Sequence, residues 1–388
     1  MVERVVVKIR SIRIMNKFQE DGIEFIKVKL KVSPISAIPA VKMPGILKRR
    51  VINIERNYVT PHVPEIGDEI VLTKEETEAF SNYFQRNMLT RENQYVKVSV
   101  DNLLGARISS IRYKPLDFEF FEMKLHISEG KWGFKGGALD FLDDSKFGLW
   151  NSRFKRTESG FLEYKPKDTV LRKKFILKRD LPLLEVKLEL RSRKKKKARI
   201  SHYVTFNVSD SGGDTVFYYL SDRGVKYERG TLRNIPWSWQ KTLRCDTSGM
   251  LLFHKEKEGI SLMIRVNPSD LEVVNLYRTM DGPELIFTFN REEISKKKIL
   301  KRRIIYIMGE KHFLDEHSFT IGARSISEFV MISSSVKPIR FFDVDLENNL
   351  IKIEAKEYRI DGMRPLYLSR IPLKETQSIP EIKGVHYG

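Results

Sequence analysis

Between residues 95 and 309 the chain holds eleven short strand-like runs, several of which alternate apolar and polar side chains, and this repetition limits what it can fold into. Runs at 106–113, 118–127, 170–177, 184–190, 198–208, 216–220, 250–254, 260–266, 271–276, 285–289 and 299–308 are rich in β-branched and aromatic residues. A period of two is that of a strand with one buried face. Turn residues punctuate the runs: Ser211, Gly212, Gly213 and Asp214, then Asp222, Arg223 and Gly224, then Asp281, Gly282 and Pro283. So many strands with so few helical signals predict a mainly β chain, with a large antiparallel sandwich at its centre.

The flanks read differently. Residues 1–94 predict a smaller basic β-rich N-terminal unit carrying one helix. Alternating runs at 5–14 and 23–32 form a hairpin through residues 19–22, followed by a surface connection over 33–48 that holds Pro34, Pro39 and Pro44. Strands are expected at 51–57 and 69–72. Thr73 then stands before Glu75 and Glu76, the pattern of a helix start, and the helix should run to about Met88. Residues 310–388 continue with β-type runs at 325–332, 339–344 and 350–360, with Asn348 and Asn349 at a hairpin turn. This segment is either a third unit or the completion of the main sandwich, whose expected span is 95–309.

Composition removes several function classes. Cys245 is the only cysteine, which excludes an intramolecular disulfide and any cysteine cluster for zinc or iron. No apolar run reaches the length of a membrane-spanning helix, and charges interrupt the first residues before a signal core can form. A cytoplasmic protein without membrane insertion is expected. The formal net charge of +19 draws polyanions. Its densest run is Arg191, Arg193, Lys194, Lys195, Lys196 and Lys197, with further basic runs at 48–50 and 296–303. Tyr218, Tyr219, Tyr227, Trp237 and Trp239 are aromatics of the kind that stack on unpaired bases. The bland alternative is a solvated hairpin tip whose like charges keep an edge from aggregating.

Five segments, in order, resemble the galactose mutarotase-like β-supersandwich shared by aldose epimerases and the β domains of several glycoside hydrolases. They are 102–111 (NLLGARISSI), 136–141 (GGALDF), 147–153 (FGLWNSR), 171–190 (LRKKFILKRDLPLLEVKLEL) and 200–208 (ISHYVTFNV). The resemblance implies recognition of a carbohydrate or sugar conjugate in a groove lined by residues 132–153 and 202–207. Trp132, Asp140, Trp150, Asn151, Arg153 and Asn207 would bind the sugar, with rings on its apolar face and polar groups on its hydroxyls. Were the chain a sugar isomerase or glycoside-processing enzyme, His202 would act as the acid and Glu284 as the base.

Two departures weigh against that chemistry. His202 and Asn207 are one residue further apart than in the family pattern, and a one-residue slip turns a strand side chain to the other face. No second histidine occurs between Arg153 and Phe175. No phosphate-binding or dinucleotide glycine motif occurs, so no cofactor is expected. His312 and His317 (HFLDEH) read as an exposed loop rather than a metal pair. Two alternatives stay open: a nucleic-acid or polyanion binder, and a noncatalytic assembly protein.

Overall fold

The computed structural model describes residues 6–20, 23–33, 52–59, 69–71, 88–102, 105–121, 124–128, 131–135, 137–143, 152–206, 215–229, 239–245, 248–279, 282–374 and 378–388. The chain divides into two compact units, one of residues 1–88, 123–135 and 151–153, the other of residues 89–122, 136–150 and 154–388.

The first unit contains a four-stranded antiparallel sheet in the order Ile52–Val59, Ile23–Ser33, Val6–Glu20, Glu69–Val71. Its hairpin keeps pairing to Glu20 opposite Ile23, six residues beyond the clean alternation that ends at Ile14. It also holds the hairpin of Lys124–Ser128 with Lys131–Lys135. The helix expected from Thr73 and the proline-bearing connection lie outside the described residues.

Two nine-stranded antiparallel sheets dominate the second unit. The first sheet runs Trp239–Leu243, Leu271–Thr279, Gly282–Phe289, Ile200–Thr205, Gly137–Leu142, Arg107–Tyr113, Val96–Asp101, Met88–Glu92, with Phe118–Glu119 also on Arg107–Tyr113. The second runs Lys155–Arg156, Leu162–Tyr164, Thr169–Leu177, Leu183–Ser192, Leu300–Gly309, Ile260–Val266, Met250–Lys255, Thr215–Ser221, Gly224–Arg229. Burial follows the period of two in some strands, whereas Met250–Lys255 and Ile260–Val266 are buried at every position. In Thr169–Leu177 the residues Leu171, Lys173 and Phe175 are buried while Val170, Arg172 and Lys174 between them are half-buried. Such alternation lets each sheet bury one face against its neighbour.

An aromatic cluster fills part of this core. Phe206 and Phe253 stack at 4.3 Å with planes 5° apart, Phe217 and Phe121 pack against them edge-on or tilted, and Tyr306 meets Phe121 edge-on. Offset and edge-to-face pairs add to the hydrophobic gain of burying rings of this size.

The C-terminal strands add two further layers. A five-stranded sheet orders Lys311–Leu314, Ser318–Arg324, Glu328–Ser335, Leu366–Pro372, Lys356–Tyr358, and its Phe319, Ile321, Val330 and Ile332 belong to the same buried cluster as the large sheets. Gly309 permits the approach of Ser318–Arg324, since a Cβ there would fall 2.4 Å from the Gly322 carbonyl oxygen. On its other face Phe329 and Met331 form a separate core with Phe342, Val344 and Ile382 of a three-stranded sheet. The hairpin in that sheet pairs Leu346 with Asn349, so its two turn residues are Glu347 and Asn348, at φ 57° and 71°. The turn therefore begins one residue earlier than Asn348 and Asn349 suggest, because the second asparagine already pairs in the strand.

The HFLDEH segment is a hairpin and not an exposed loop. Lys311–Leu314 pairs with Ser318–Arg324, and the His312 ring packs edge-on against His254 at 4.2 Å. The Ser261 hydroxyl lies 3.0 Å and 3.1 Å from their Nδ1 atoms. Burial lowers the pKa of both rings, that of His312 to about 4.

Replacing Phe253 by Ala removes the stacked partner of Phe206 and leaves a cavity between the sheets. Equilibrium denaturation should show a loss of about 3–5 kcal/mol, whereas a loss below about 1 kcal/mol would mean that the cluster collapses around the gap.

Candidate functional site

Strand pairing divides the candidate residues between the two faces of the first sheet. Along Ile200–Thr205, His202 is opposite Asp140 on one side and Phe287 on the other, while Tyr203 is opposite Leu139 and Ile286. Successive side chains point to opposite faces. His202, Val204, Asp140, Ala138, Phe287 and Leu285 therefore share the face turned to the core, and all are buried. Tyr203, Thr205, Phe141, Glu284, Ile286 and Thr288 share the other.

The inward histidine is part of a buried chain of polar groups that links the two sheets. His202 Nδ1 lies 2.7 Å from Asp140 Oδ1, and its Nε2 meets the Tyr306 hydroxyl. Asp140 Oδ2 lies 2.7 Å from Lys173 Nζ, which also donates to the Gly105 carbonyl at 2.7 Å and sits 5.0 Å from the Phe154 ring centre. With Asp140 accepting the Nδ1 proton, Nε2 is left to accept from Tyr306. Relative exposure is 2% for Asp140, 1% for His202 and 0% for Lys173 and Tyr306.

Burial opposes ionisation of Asp140, but Lys173 and His202 outweigh it and hold its carboxyl at about 2. Burial also lowers the Lys173 pKa, which Asp140 partly restores, and raises that of Tyr306 well above 10, so the phenol keeps its proton. The arrangement can share protons internally, yet packing on every side leaves no space for a substrate. Its evident physical effect is to pin the sheets in one register.

The other face has a different character. In Gly282–Phe289, Leu285, Phe287 and Phe289 are buried, whereas Glu284, Ile286 and Thr288 are half-buried. Across the neighbouring strands, Asn275 is opposite Ile286 and Thr242, and Tyr277 is opposite Glu284 and Gln240. The Phe141 and Tyr203 rings meet edge-to-face at 5.6 Å. Thr242 Oγ1 donates to Asn275 Oδ1 at 2.9 Å. Burial, then the charge of Glu284 and a hydrogen bond to it, raise the Tyr203 pKa, so its phenol donates to that carboxylate.

Arg107 completes the face by way of a glycine. A Cβ on Gly137, at φ 83°, would sit 2.2 Å from the Ile108 carbonyl oxygen and 3.2 Å from Arg107 Cγ and Cδ. Only glycine lets the arginine stem cross the strand here. Burial lowers the Arg107 pKa to about 10, while Asp101 and Tyr203 act to raise it.

The structure thus brings together some of the residues expected at a sugar site and separates others. Asp140 and His202 are in contact, but inside the core. His202 and Glu284 are on opposite faces of one sheet, because Glu284 pairs with Thr205, three residues from the histidine. Trp132, on Lys131–Lys135, and Arg153 belong to the first unit, the latter exposed. Trp150, Asn151 and Asn207 lie outside the described residues. Among the basic residues, Arg193 and Lys194 to Lys197 are exposed and Arg191 is half-buried. No group of three or more metal-ligating side chains occurs among the described residues.

Arg107, Tyr203, Thr205 and Lys173 were not singled out from the sequence. Alternation alone could have found two of them: Tyr203 follows a core-facing His202, and Lys173 lies between Leu171 and Phe175 in the inward register.

No known sequence family matches the chain, and no curated protein resembles it. Solved structures similar to it include a putative aldose 1-epimerase from Escherichia coli K12, at 9% identity and TM-score 0.41, over 57% of this chain and 99% of that one. A galactose mutarotase-like protein from Lactobacillus casei is similar at 11% identity and TM-score 0.38, over 57% and 99%. A TPR-domain containing protein from Parabacteroides distasonis is similar at 10% identity and TM-score 0.45, over 79% and 54%. These are likenesses of fold and leave the function of this chain open. No helix of the described residues is long and apolar enough to cross a membrane.

The buried chain of polar groups makes a stability prediction with a defined sign. Lys173→Met should cost about 3–5 kcal/mol because it leaves the Asp140 carboxylate unpaired in the core, and Lys173→Met combined with Asp140→Asn should cost less. The Asp140 pKa lies below its ordinary 3.8, so its contribution is complete above that value and is lost as pH falls through about 2. Lys173 acts only at the alkaline end. Urea denaturation from pH 5 to 2 should show this acid loss in the wild type and not in the double variant; equal acid slopes would remove Asp140 from the account.

Proposed function

We propose that the half-buried face of the first large sheet binds a carbohydrate, and that the chain acts as a recognition protein rather than an epimerase. One observation carries the reading: strand register gathers Phe141, Tyr203, Thr205, Tyr277 and Glu284 on one face, with Arg107 led across Gly137 beside them. A pyranose presents C–H groups to an aromatic ring and hydroxyls to carboxylate, guanidinium and hydroxyl groups. Phe141 and Tyr203 supply the first kind of contact and Glu284 the second, while Arg107 and Thr205, 4% and 7% exposed, lie buried on the same face.

Catalysis of ring opening needs an acid and a base within reach of one sugar. His202 is sealed in the core and Glu284 is on the opposite face, which favours binding without turnover. The resemblance to sugar-handling supersandwiches in the sequence is consistent with a binding surface that lacks the acid–base pair.

A glycan panel followed by calorimetry tests the reading. Glu284→Gln should weaken the best glycan by about 10- to 100-fold, the range of one charge-assisted hydrogen bond, and Phe141→Ala should weaken it further without unfolding the protein. Polarimetry should detect no acceleration of mutarotation. A panel without a ligand, or glycan affinity indifferent to Glu284, would overturn the proposal.

A further inference from the structure

The two longest basic runs are about a hundred residues apart in the sequence, yet the fold sets them side by side. Residues 191–197 and 296–303 hold six basic residues each and no acidic one. The strands Leu183–Ser192 and Leu300–Gly309 are neighbours, with Leu190 opposite Leu300. The chain leaving the first strand turns at 193–195 into Lys196–Ala198. The chain entering the second comes from Glu292–Ile294 through a turn at 295–298. Those short strands pair with each other, Lys196 opposite Ile294 and Lys197 opposite Glu293. Two lysine-bearing turns therefore emerge at the same end of the sheet.

Serine side chains fix both tips. Ser192 Oγ accepts from the Lys194 backbone N–H at 3.2 Å, and Ser295 Oγ accepts from those of Lys297 and Lys298 at 3.3 Å and 3.0 Å. Lys194 to Lys197 and Lys296 to Lys298 are all exposed. Lys194 and Lys195 reach Asp168 and Glu293 at 3.3 Å and 3.0 Å; exposed pairs of this kind contribute little and exchange readily for a stronger anion. Among the described residues, Lys196, Lys197, Lys296, Lys297 and Lys298 have no carboxylate partner. The other basic residues of the second run are committed elsewhere or apart: Arg302 is buried against Glu292 and Asp270, and Arg303 binds Glu185.

We propose that this double-turn tip is a docking surface for the phosphate backbone of duplex nucleic acid, separate from the carbohydrate face. Paired strands lie about 4.8 Å apart, so the turns that carry Lys194 and Lys195 on one side and Lys296 to Lys298 on the other gather their lysines at one tip able to meet a line of phosphates. No aromatic residue occurs in 191–198 or 292–301 to stack on unpaired bases, which favours a duplex over a single strand. Ile299, 39% exposed, is the one exposed apolar residue in these two stretches, too little to anchor in a lipid surface. Contacts of this kind position a duplex without reading its sequence.

The full chain is titrated against a labelled duplex of about 20 base pairs between about 50 and 200 mM salt, where affinity should fall steeply. Joint Lys194→Glu, Lys195→Glu, Lys296→Glu and Lys297→Glu should weaken binding at least about tenfold and flatten the salt slope by roughly three to four. The matching four Lys→Gln changes should do the same to a smaller extent, which guards against misfolding caused by new acidic groups. A control quartet, Lys337→Glu, Lys352→Glu, Lys356→Glu and Lys383→Glu, should change affinity less than threefold. An equal loss in the control would assign binding to the overall charge of +19 and overturn the proposal, as would preference for single strands or for anionic vesicles. Glycan binding should be untouched in the tip variants, so failure of either reading leaves the other standing.

Discussion

The ion pair between Lys173 and Asp140 joins two sheets across a largely apolar core, and much of the structure depends on its geometry. Two charges in such a place are costly unless they meet closely and their remaining hydrogen-bonding capacity is used. Here it is: the ammonium has a carboxylate, a backbone carbonyl and a ring, while the carboxylate has an ammonium and an imidazole. A slip of either strand by one residue would carry one partner to the opposite face and leave the other stranded. An apolar core tolerates exchange of one aliphatic side chain for another, but this set of contacts does not, so it specifies which strands face each other and in what register.

That register decides which chemistry the first sheet can offer. Once Asp140 and His202 are turned to one face, every odd-numbered neighbour on their strands is turned to the other. Tyr203, Thr205 and Phe141 are thereby committed to the opposite face, and Glu284 joins them through its pairing with Thr205. The histidine that looks catalytic in the linear sequence is thus the residue that determines where the binding face must be. Gly137 shows the same coupling at the level of the backbone, because its missing side chain gives Arg107 a path over the strand.

The strands themselves were largely readable. The run at 260–266 is the strand Ile260–Val266, and that at 170–177 is Thr169–Leu177 less one residue, because alternation is a local property. The inward turn of His202 was also implicit, since Ile200 and Val204 flank it at the inward spacing. Its partners were not. Lys173 and Tyr306 come from strands of the other sheet, and nothing local says that a lysine at one position will meet an aspartate more than thirty residues earlier. Asp140 looked like a sugar ligand for the same reason: a carboxylate in a glycine-rich strand reads as exposed until a buried ammonium is found opposite it. The C-terminal hairpin illustrates the smaller error of a turn placed one residue late, where either asparagine suits a left-handed backbone and only pairing distinguishes them.

Charge raises the same issue on the surface. A net charge of +19 spread evenly would give a diffuse attraction with no preferred site. The fold departs from that limit because antiparallel neighbours need not be neighbours in sequence: Leu183–Ser192 and Leu300–Gly309 pair across more than a hundred residues, and the basic stretch beside each is brought to one corner. Repulsion between the lysines is tolerated there because the tips are solvated and serine side chains hold the turns. Protection of the large sheet's edge does not account for these lysines, since Leu183–Ser192 and Leu300–Gly309 are both interior to it. The concentration of charge at a shared tip is what sets this corner apart from the ion-rich remainder of the surface.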